Sequence, residues 1–283
     1  MIGVTGSTGF IGAHLMQRLG ESAVSVDLHD IVDSSELEWV LGTHGCNSLV
    51  HLASPLPKHG SGDQRGLEQE ISGLAELCVE AVAGLEHCHL VLLSSVRVHP
   101  NGCAMFTSDA LVQPIDGYGK GKARAEQVCT AAADEMHPVT ILRPSSVQGV
   151  SLDGDVRGLI GVFAEQAAHD GEVRVMGDGT STKDMLHVSD MVAAIVAALD
   201  APPNRAGVVR VLPIGSGNGI SVLELGQGVA ARIGAVIRYM DAAPGDLSGV
   251  VDAGPALAQI GWSAQTNVED IIEEIVAAVG SGG

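Results

Sequence analysis

The chain has 283 residues, 46% of them hydrophobic and 17% charged, and a formal charge of −19. That composition is ample for a packed core and wrong for a disordered chain, and the length suits one large domain carrying a smaller, interwoven one. So acidic a chain is unsuited to duplex nucleic acid or an anionic membrane surface, although a local Arg or Lys pocket can still take a small anion.

In chain order, Ile2 to Thr5 predicts a short apolar strand, followed by a glycine turn and a helix from about Phe10 to Leu19. A second strand, Ala23 to Val26, ends at Asp27. A helix near Ser35 to Leu41, a strand from Ser48 to Ala53 and a long helix from about Gly66 to Ala83 come next. The strand His89 to Leu93 precedes an irregular stretch containing Pro100, Asn101, Gly102 and Pro114. A helix from Tyr118 to Ala133 then feeds a strand from Val139 to Leu142. Short apolar strands alternating with helices predict an α/β doubly wound parallel sheet, with its ligand crevice beyond the strands' carboxyl ends. Met1 runs straight into the first strand, and apolar runs such as Met191 to Leu199 are too short to cross a bilayer, so a cytoplasmic protein without membrane contact is expected. The five cysteines (Cys46, Cys78, Cys88, Cys103, Cys129) form no CxxC pair, and His87-Cys88-His89 lacks a second ligand pair at zinc spacing. They predict reduced thiols and no metal site.

Gly6-Ser7-Thr8-Gly9-Phe10-Ile11-Gly12 lies between a predicted strand and a predicted helix, the context that a dinucleotide fingerprint requires. Glycines serve the tight turn, the approach of backbone to pyrophosphate and the packing of helix on strand, and the helix N-terminus offers N–H groups to phosphates. Asp27 closes the second strand, where an acid accepts hydrogen bonds from the adenosine ribose. No Arg or Lys occurs between Arg18 and Lys58, so a 2′-phosphate there would meet Asp27, Asp30 and Asp33. NAD is therefore favoured over NADP. The plainer alternative makes the glycines an ordinary turn, Asp27 a solvated acid and Asp30 or Asp33 a helix cap. The fold expected is thus a Rossmann-type sheet with a smaller C-terminal substrate domain. A dinucleotide-binding domain is expected over 1–149 with return segments at about 184–216, and the substrate-binding domain over 150–183 and 217–283.

Tyr118 and Lys122 stand one turn apart on one helix face in a chain with two tyrosines, so a chance pairing is expected only about 0.03 times. A phenol must fall about three pKa units, or about 4 kcal/mol, to act as a base at neutrality. An ammonium at about 4 Å supplies that much at an effective dielectric near 20. Tyr118 could then remove or return an alcohol proton. At the carboxyl end of the His89 strand, Ser95 can donate to a substrate oxygen as charge develops, with Ser94 competing for the role.

Taken together these segments resemble the extended short-chain dehydrogenases/reductases of the NAD-dependent epimerase/dehydratase family, which act largely on nucleotide sugars. The resemblance runs through Thr5 to Gly12, His51-Leu52-Ala53, Ser94 to His99, Tyr118 to Glu126 and Leu142-Arg143-Pro144. It continues through Gly177 to Asp190, Ile214 to Gly217, Pro244-Gly245-Asp246 and Gly261-Trp262. It implies Ser95, Tyr118 and Lys122 as the catalytic residues. The cofactor set it implies is Gly6, Thr8, Gly9, Phe10, Ile11, Gly12, Asp27, Leu52, Ala53, Tyr118, Lys122 and Pro144. Ser95, Val96, Arg97, Ser146 and Lys183 are implied at the substrate. The chain departs from the family pattern at Lys183, where Arg is usual, and at Ala242-Ala243 before the Pro-Gly-Asp segment. Further departures are His99-Pro100 in place of Tyr-Gly and Glu70 in place of Asn. Val96-Arg97 replaces the Asp-Glu of the family's dehydratases, which argues against 4,6-dehydration.

The function expected is NAD-dependent redox at a carbinol or ketone carbon of a sugar, nucleotide-linked, by an epimerase or a ketoreductase. One alternative is ketone reduction on a non-nucleotide small molecule, suggested by the replaced arginines; another is a non-catalytic NAD-binding regulator. A homodimer is expected through the two Ala-, Leu- and Val-rich helices beginning near Gly66 and Tyr118.

Overall fold

The computed structural model describes residues 1–56, 64–203, 209–242 and 247–281. The first half alternates strand and helix: β1 (Ile2–Thr5), α1 (Phe10–Leu19), β2 (Ala23–Val26), α2 (Ser34–Thr43), β3 (Ser48–His51), α3 (Gln64–Ala83) and β4 (His89–Leu93). A short strand β5 (Met105–Phe106), helix α4 (Gly117–Ala132) and strand β6 (Val139–Pro144) complete it. The second half begins with β7 (Ser146–Val150), β8 (Val156–Arg157), α5 (Gly158–Asp170), β9 (Glu172–Met176), β10 (Thr182–His187) and α6 (Val188–Asp200). It ends with β11 (Val209–Ile214), β12 (Gly219–Ser221), α7 (Val222–Ile233), β13 (Val236–Met240), β14 (Val250–Val251), α8 (Gly254–Ile260) and α9 (Val268–Ser281).

Among the described residues six parallel strands form the main sheet in the order β11-β6-β4-β3-β1-β2. The chain steps from β1 to β2 on one side and then to β3 on the other. That reversal opens a crevice at the carboxyl ends of β1 and β3, where Gly6 and Ala53 lie. Both faces of the sheet are covered, which explains why β4 and β6 read as continuous apolar runs. Alternation by two sends Val91 and Leu93 into the core under α1 and α6, with Leu15, Met191 and Ile195. Leu90 and Leu92 point oppositely, to Leu37, Leu41, Cys78 and Cys129 of α2, α3 and α4. Each fully buried leucine contributes about 2 kcal/mol of transfer free energy, so this two-faced layer holds the sheet rigid beneath the crevice.

A second sheet (β12-β10-β7-β8) and the pair β13-β9 pack with α5, α7 and α9 around Ile160, Phe163, Val175, Leu225, Val229 and Ile275. One residue, Ser145, separates β6 in the main sheet from β7 in the second, and its N–H donates to the Ile214 carbonyl at 2.8 Å. β11 runs back beside β6 and so closes the edge of the main sheet. Some expected boundaries shift. β3 ends at His51, β6 runs on to Pro144, and α4 begins one residue early because Asp116 caps it by accepting from the Gly119 N–H at 2.7 Å.

Candidate active site

The turn after β1 is built for close approach. Gly6 has φ +66°, and a Cβ on it would lie 2.6 Å from the Ala53 nitrogen. A Cβ on Gly12 would lie 2.0 Å from the Gly6 carbonyl oxygen, so only glycine lets α1 sit on the turn. α1 starts at Phe10 with no side-chain cap on its free N–H groups and no acid in its first turn, which leaves its positive end for an anion. Thr8 and Gly9 are exposed beside it, with Phe10 and Ile11 half-buried. Thr5 Oγ1 accepts from the Ala53 N–H at 3.3 Å and pairs with His51 Nδ1 at 2.8 Å, so Leu52 and Ala53 are held against the turn. Ser7 and Ser25 hydroxyls meet at 2.6 Å and tie the turn to β2. Asp27 stands exposed at the end of β2, its carboxylate accepting from the His29 N–H at 2.9 Å. Asp33 caps α2, as the plainer alternative supposed for that residue. A glycine cradle that a Cβ would fill, an open helix end and an acid at the neighbouring strand fit a dinucleotide.

Helix α4 brings Tyr118 and Lys122 to the carboxyl end of β4. Lys122 is buried; its Nζ donates to the Leu93 carbonyl at 2.8 Å and lies 5.7 Å from the centre of the Tyr118 ring. The glycines interleaved with this pair set the helix's seat. A Cβ on Gly117 would come within 2.1 Å of the Gln64 carbonyl, on Gly119 within 2.3 Å of the Arg97 carbonyl, and on Gly121 within 2.8 Å of Ile71. The electrostatics differ from the sequence expectation. Burial pushes the half-buried Tyr118 phenol up to about 12, with Arg97 opposing and Asp116 adding to the rise. Burial pulls Lys122 down to about 8, with Glu126 opposing. With its ammonium turned to Leu93, Lys122 does not by itself bring the phenol toward neutrality.

Ser94 and Ser95 diverge. The Ser94 hydroxyl donates to Glu126 at 2.5 Å, and Glu126 is held by a buried two-pronged contact from Arg143 at 2.7 and 2.9 Å. Ser95 caps the 3-10 turn Val96–Val98, accepting from the Arg97 N–H at 3.2 Å. It opens onto a cavity of about 190 Å³ whose wall also carries Val96, Arg97, Ser146 and Lys183, so all five residues expected at the substrate line one space. Tyr118 lies outside that lining. Pro144 is buried at the end of β6, two residues before Ser146. Arg97 pairs with Asp116, and Lys183 Nζ donates to the Leu247 carbonyl.

Two sets of contacts, one in this wall and one behind it, escape the sequence. Asp184 is buried and accepts from Ser216 N–H and O–H, Gly217 N–H, Val251 N–H and the Ser145 hydroxyl, at 2.8 to 3.4 Å. Burial raises its carboxyl while those donors oppose the rise. His99, where the family pattern has Tyr, stacks on Phe106 with ring centres 5.5 Å apart and pairs with the Leu111 carbonyl. Pro244-Gly245-Asp246 lie outside the described residues. Cys46, Cys78, Cys88 and Cys129 are buried thiols, and burial raises their pKa. Among the described residues no helix is long and apolar enough to cross a membrane.

Comparison with known proteins completes the description. The sequence model of the NAD dependent epimerase/dehydratase family matches residues 2–211, from β1 to the middle of β11. The chain belongs to that family. As a member it is an NAD-dependent enzyme of the extended short-chain dehydrogenase/reductase type. It is 24% identical to a dTDP-4-dehydro-6-deoxyglucose reductase of Escherichia coli over 98% of this chain and 96% of that one. It is 28% identical to a UDP-glucose 4-epimerase of Neisseria meningitidis serogroup C, over 96% of this chain and 94% of that one. The solved structure of MoeE5 in complex with UDP-glucuronic acid and NAD superposes with a TM-score of 0.86 at 25% identity, covering 100% of this chain and 99% of the other. A reductase and an epimerase thus share this family's frame.

Proposed function

We propose that the protein interconverts a carbinol and a ketone on a nucleotide-linked sugar, by epimerisation or ketoreduction, with Tyr118 as acid/base. One observation carries the reading. Lys122 reaches the Leu93 carbonyl at the carboxyl end of β4 with the Tyr118 ring beside its ammonium, Ser95 opens on the cavity two residues further on, and a glycine cradle suited to a dinucleotide follows β1. NAD, when bound, supplies hydride acceptance and return at the reacting carbon. Gly6, Thr8, Gly9, Phe10, Ile11 and Gly12 would hold its pyrophosphate, Asp27 its adenosine ribose, and Leu52, Ala53, Tyr118, Lys122 and Pro144 the remainder. Ser95 donates its O–H to the substrate oxygen, and Tyr118 takes or gives that oxygen's proton. Lys122, steadied by the Leu93 carbonyl, keeps a positive charge near the phenol ring. Lys183 is the cation for the diphosphate. Replacing Tyr118 with Phe is expected to cut turnover at least about a hundredfold while NAD still binds; a fully active variant would overturn the assignment. Absorbance at the NADH band separates the two reactions, since a reductase consumes NADH with a ketosugar and an epimerase shows no net change.

A second reading, reduction of a nucleotide-free ketone, is favoured by Lys183 standing where the family's bidentate Arg is usual. It requires turnover of such ketones without any response to nucleotide diphosphates. We also propose a cytoplasmic homodimer. The apolar residues of α3 and α4 are largely spent inside the protomer, among them Ile71, Ala75, Cys78 and Cys129. The face left for a partner is instead a polar groove of about 640 Å³ bearing Arg65, Glu68, Glu76, Lys120 and Arg124. Charges of both signs on one patch suit pairing with itself about a two-fold axis. Light scattering decides it.

A further inference from the structure

We infer that Arg97 reads a carboxylate on the sugar, so that the substrate class is a nucleotide-linked uronic acid rather than a neutral hexose. The inference rests on the nucleotide-sugar reading above and narrows it.

The cavity runs against the charge of the whole molecule. The chain has 34 acids and only 15 Lys and Arg, yet both Arg97 and Lys183 line this space of about 190 Å³. Among the described residues Asp184 is the one carboxylate in its wall, and its oxygens are turned to the donors of Ser145, Ser216, Gly217 and Val251. Among the described lining residues two cations stand against one carboxylate, so the wall offers charged N–H donors that a small anion can use.

The two cations serve different parts of such a ligand. Lys183 comes from β10 and is held by the Leu247 carbonyl. Arg97 follows Ser95 by two residues, and its own N–H rests on the Ser95 hydroxyl at 3.2 Å. It also acts on Tyr118, where its charge opposes the rise that burial imposes on the phenol. An anion held by Arg97 therefore belongs to the reacting end of the ligand and not to its diphosphate. The side chain is 44% exposed, and its contact with Asp116 uses Nη2. Among the described residues the guanidinium makes no other hydrogen bond, so donors remain for a second carboxylate. A planar fork matches a carboxylate with two parallel N–H···O bonds, which a hydroxymethyl group cannot return.

A structural alternative is that Arg97 only steadies Asp116 and thereby the cap of α4. Calorimetry on the NAD-loaded protein separates the two, using UDP, UDP-glucose and UDP-glucuronic acid; the two sugars differ only in the group on C6. The expected result is UDP-glucuronic acid binding at least about tenfold tighter than UDP-glucose. Arg97→Gln should bring the ratio to within about twofold, and Arg97→Lys should leave it between. Equal affinities in the unaltered protein overturn the inference alone, since UDP-glucose has then bound. A parallel loss for both sugars in Arg97→Gln, with the ratio kept, assigns Arg97 to structure and overturns it as well. Silence toward all three compounds and toward dTDP and dTDP-glucose overturns the nucleotide-sugar reading and this inference with it, whereas binding of the thymidine compounds alone overturns only the inference drawn for these uronic acids.

Discussion

At the scale of single residues, the phenol and ammonium of the candidate site are each pushed toward neutrality by burial. Tyr118 at about 12 holds its proton and Lys122 at about 8 is ready to lose one. The chain alone thus stores the proton at Tyr118, and releasing it requires positive charge from outside the protein. The sequence makes this measurable, because Tyr239 is the only other tyrosine and is exposed. In a Tyr239→Phe protein the phenolate absorbance reports Tyr118 alone. Its midpoint is expected near 12 without cofactor, and lower by a unit or more with saturating NAD. A midpoint that NAD leaves in place removes the electrostatic basis for Tyr118 as a base. The Tyr-Lys spacing was legible in the sequence because one turn of helix is a local fact. The ammonium's turn toward Leu93 was not, being 29 residues away across the sheet. Ser94's partner Glu126 and the latter's clamp by Arg143 are equally non-local, so no spacing rule reveals that Ser94 is occupied and Ser95 opens on the cavity.

Elements show the same division between local and distant causes. The apolar rhythm located every strand of the main sheet up to β6 within two residues, since burial on both faces writes itself as a continuous run. Helix seating does not write itself. The glycines of α4 look like poor helix formers, and only the packed structure shows them meeting Gln64, Arg97 and Ile71. Two glycine substitutions separate propensity from packing. Gly119→Ala places a methyl 2.3 Å from the Arg97 carbonyl and is expected to cost about 1–3 kcal/mol, with a loss of turnover from the displaced Tyr118. Gly73→Ala on α3 meets nothing within 4 Å and should stabilise by about 1 kcal/mol. Chemical denaturation of the two variants measures both; a neutral Gly119→Ala would show that the helix can shift freely.

The molecule as a whole carries its pH dependence in buried rings. His51 and His89 lie in the main sheet, and burial lowers them to about 3 and about 4, from 6.5. Both stay neutral in the folded protein, whereas an unfolded chain takes up protons below about 6.5. Their stabilising effect is therefore complete above that pH and lost as pH falls toward 4. Melting temperature should fall over that window, and His89→Asn should flatten its slope. His89 alone accounts for up to about 3 kcal/mol at the acid end. An unchanged slope would place the acid sensitivity elsewhere. The architecture at this scale was legible as a doubly wound sheet because alternation of element types needs no long-range information. Five residues of the cavity wall were reached through the family resemblance, but its closure by Phe106, Leu159, Leu247 and Gly249 was not legible, because these come from three separate segments. The pairing of β14 with β5, between residues 250–251 and 105–106, joins segments that share no sequence signal.

Asp184 gives this assembly an order in time. Its carboxylate gathers residues 145, 216, 217 and 251, so the sugar cavity cannot take shape until the last of these has been made and brought in. The glycine turn and the residues at the end of β3 that hold it are complete by Ala53. On the ribosome, the emerging chain would own its full set of candidate cofactor residues, the last of them Pro144, about a hundred residues before Val251 completes the substrate cavity.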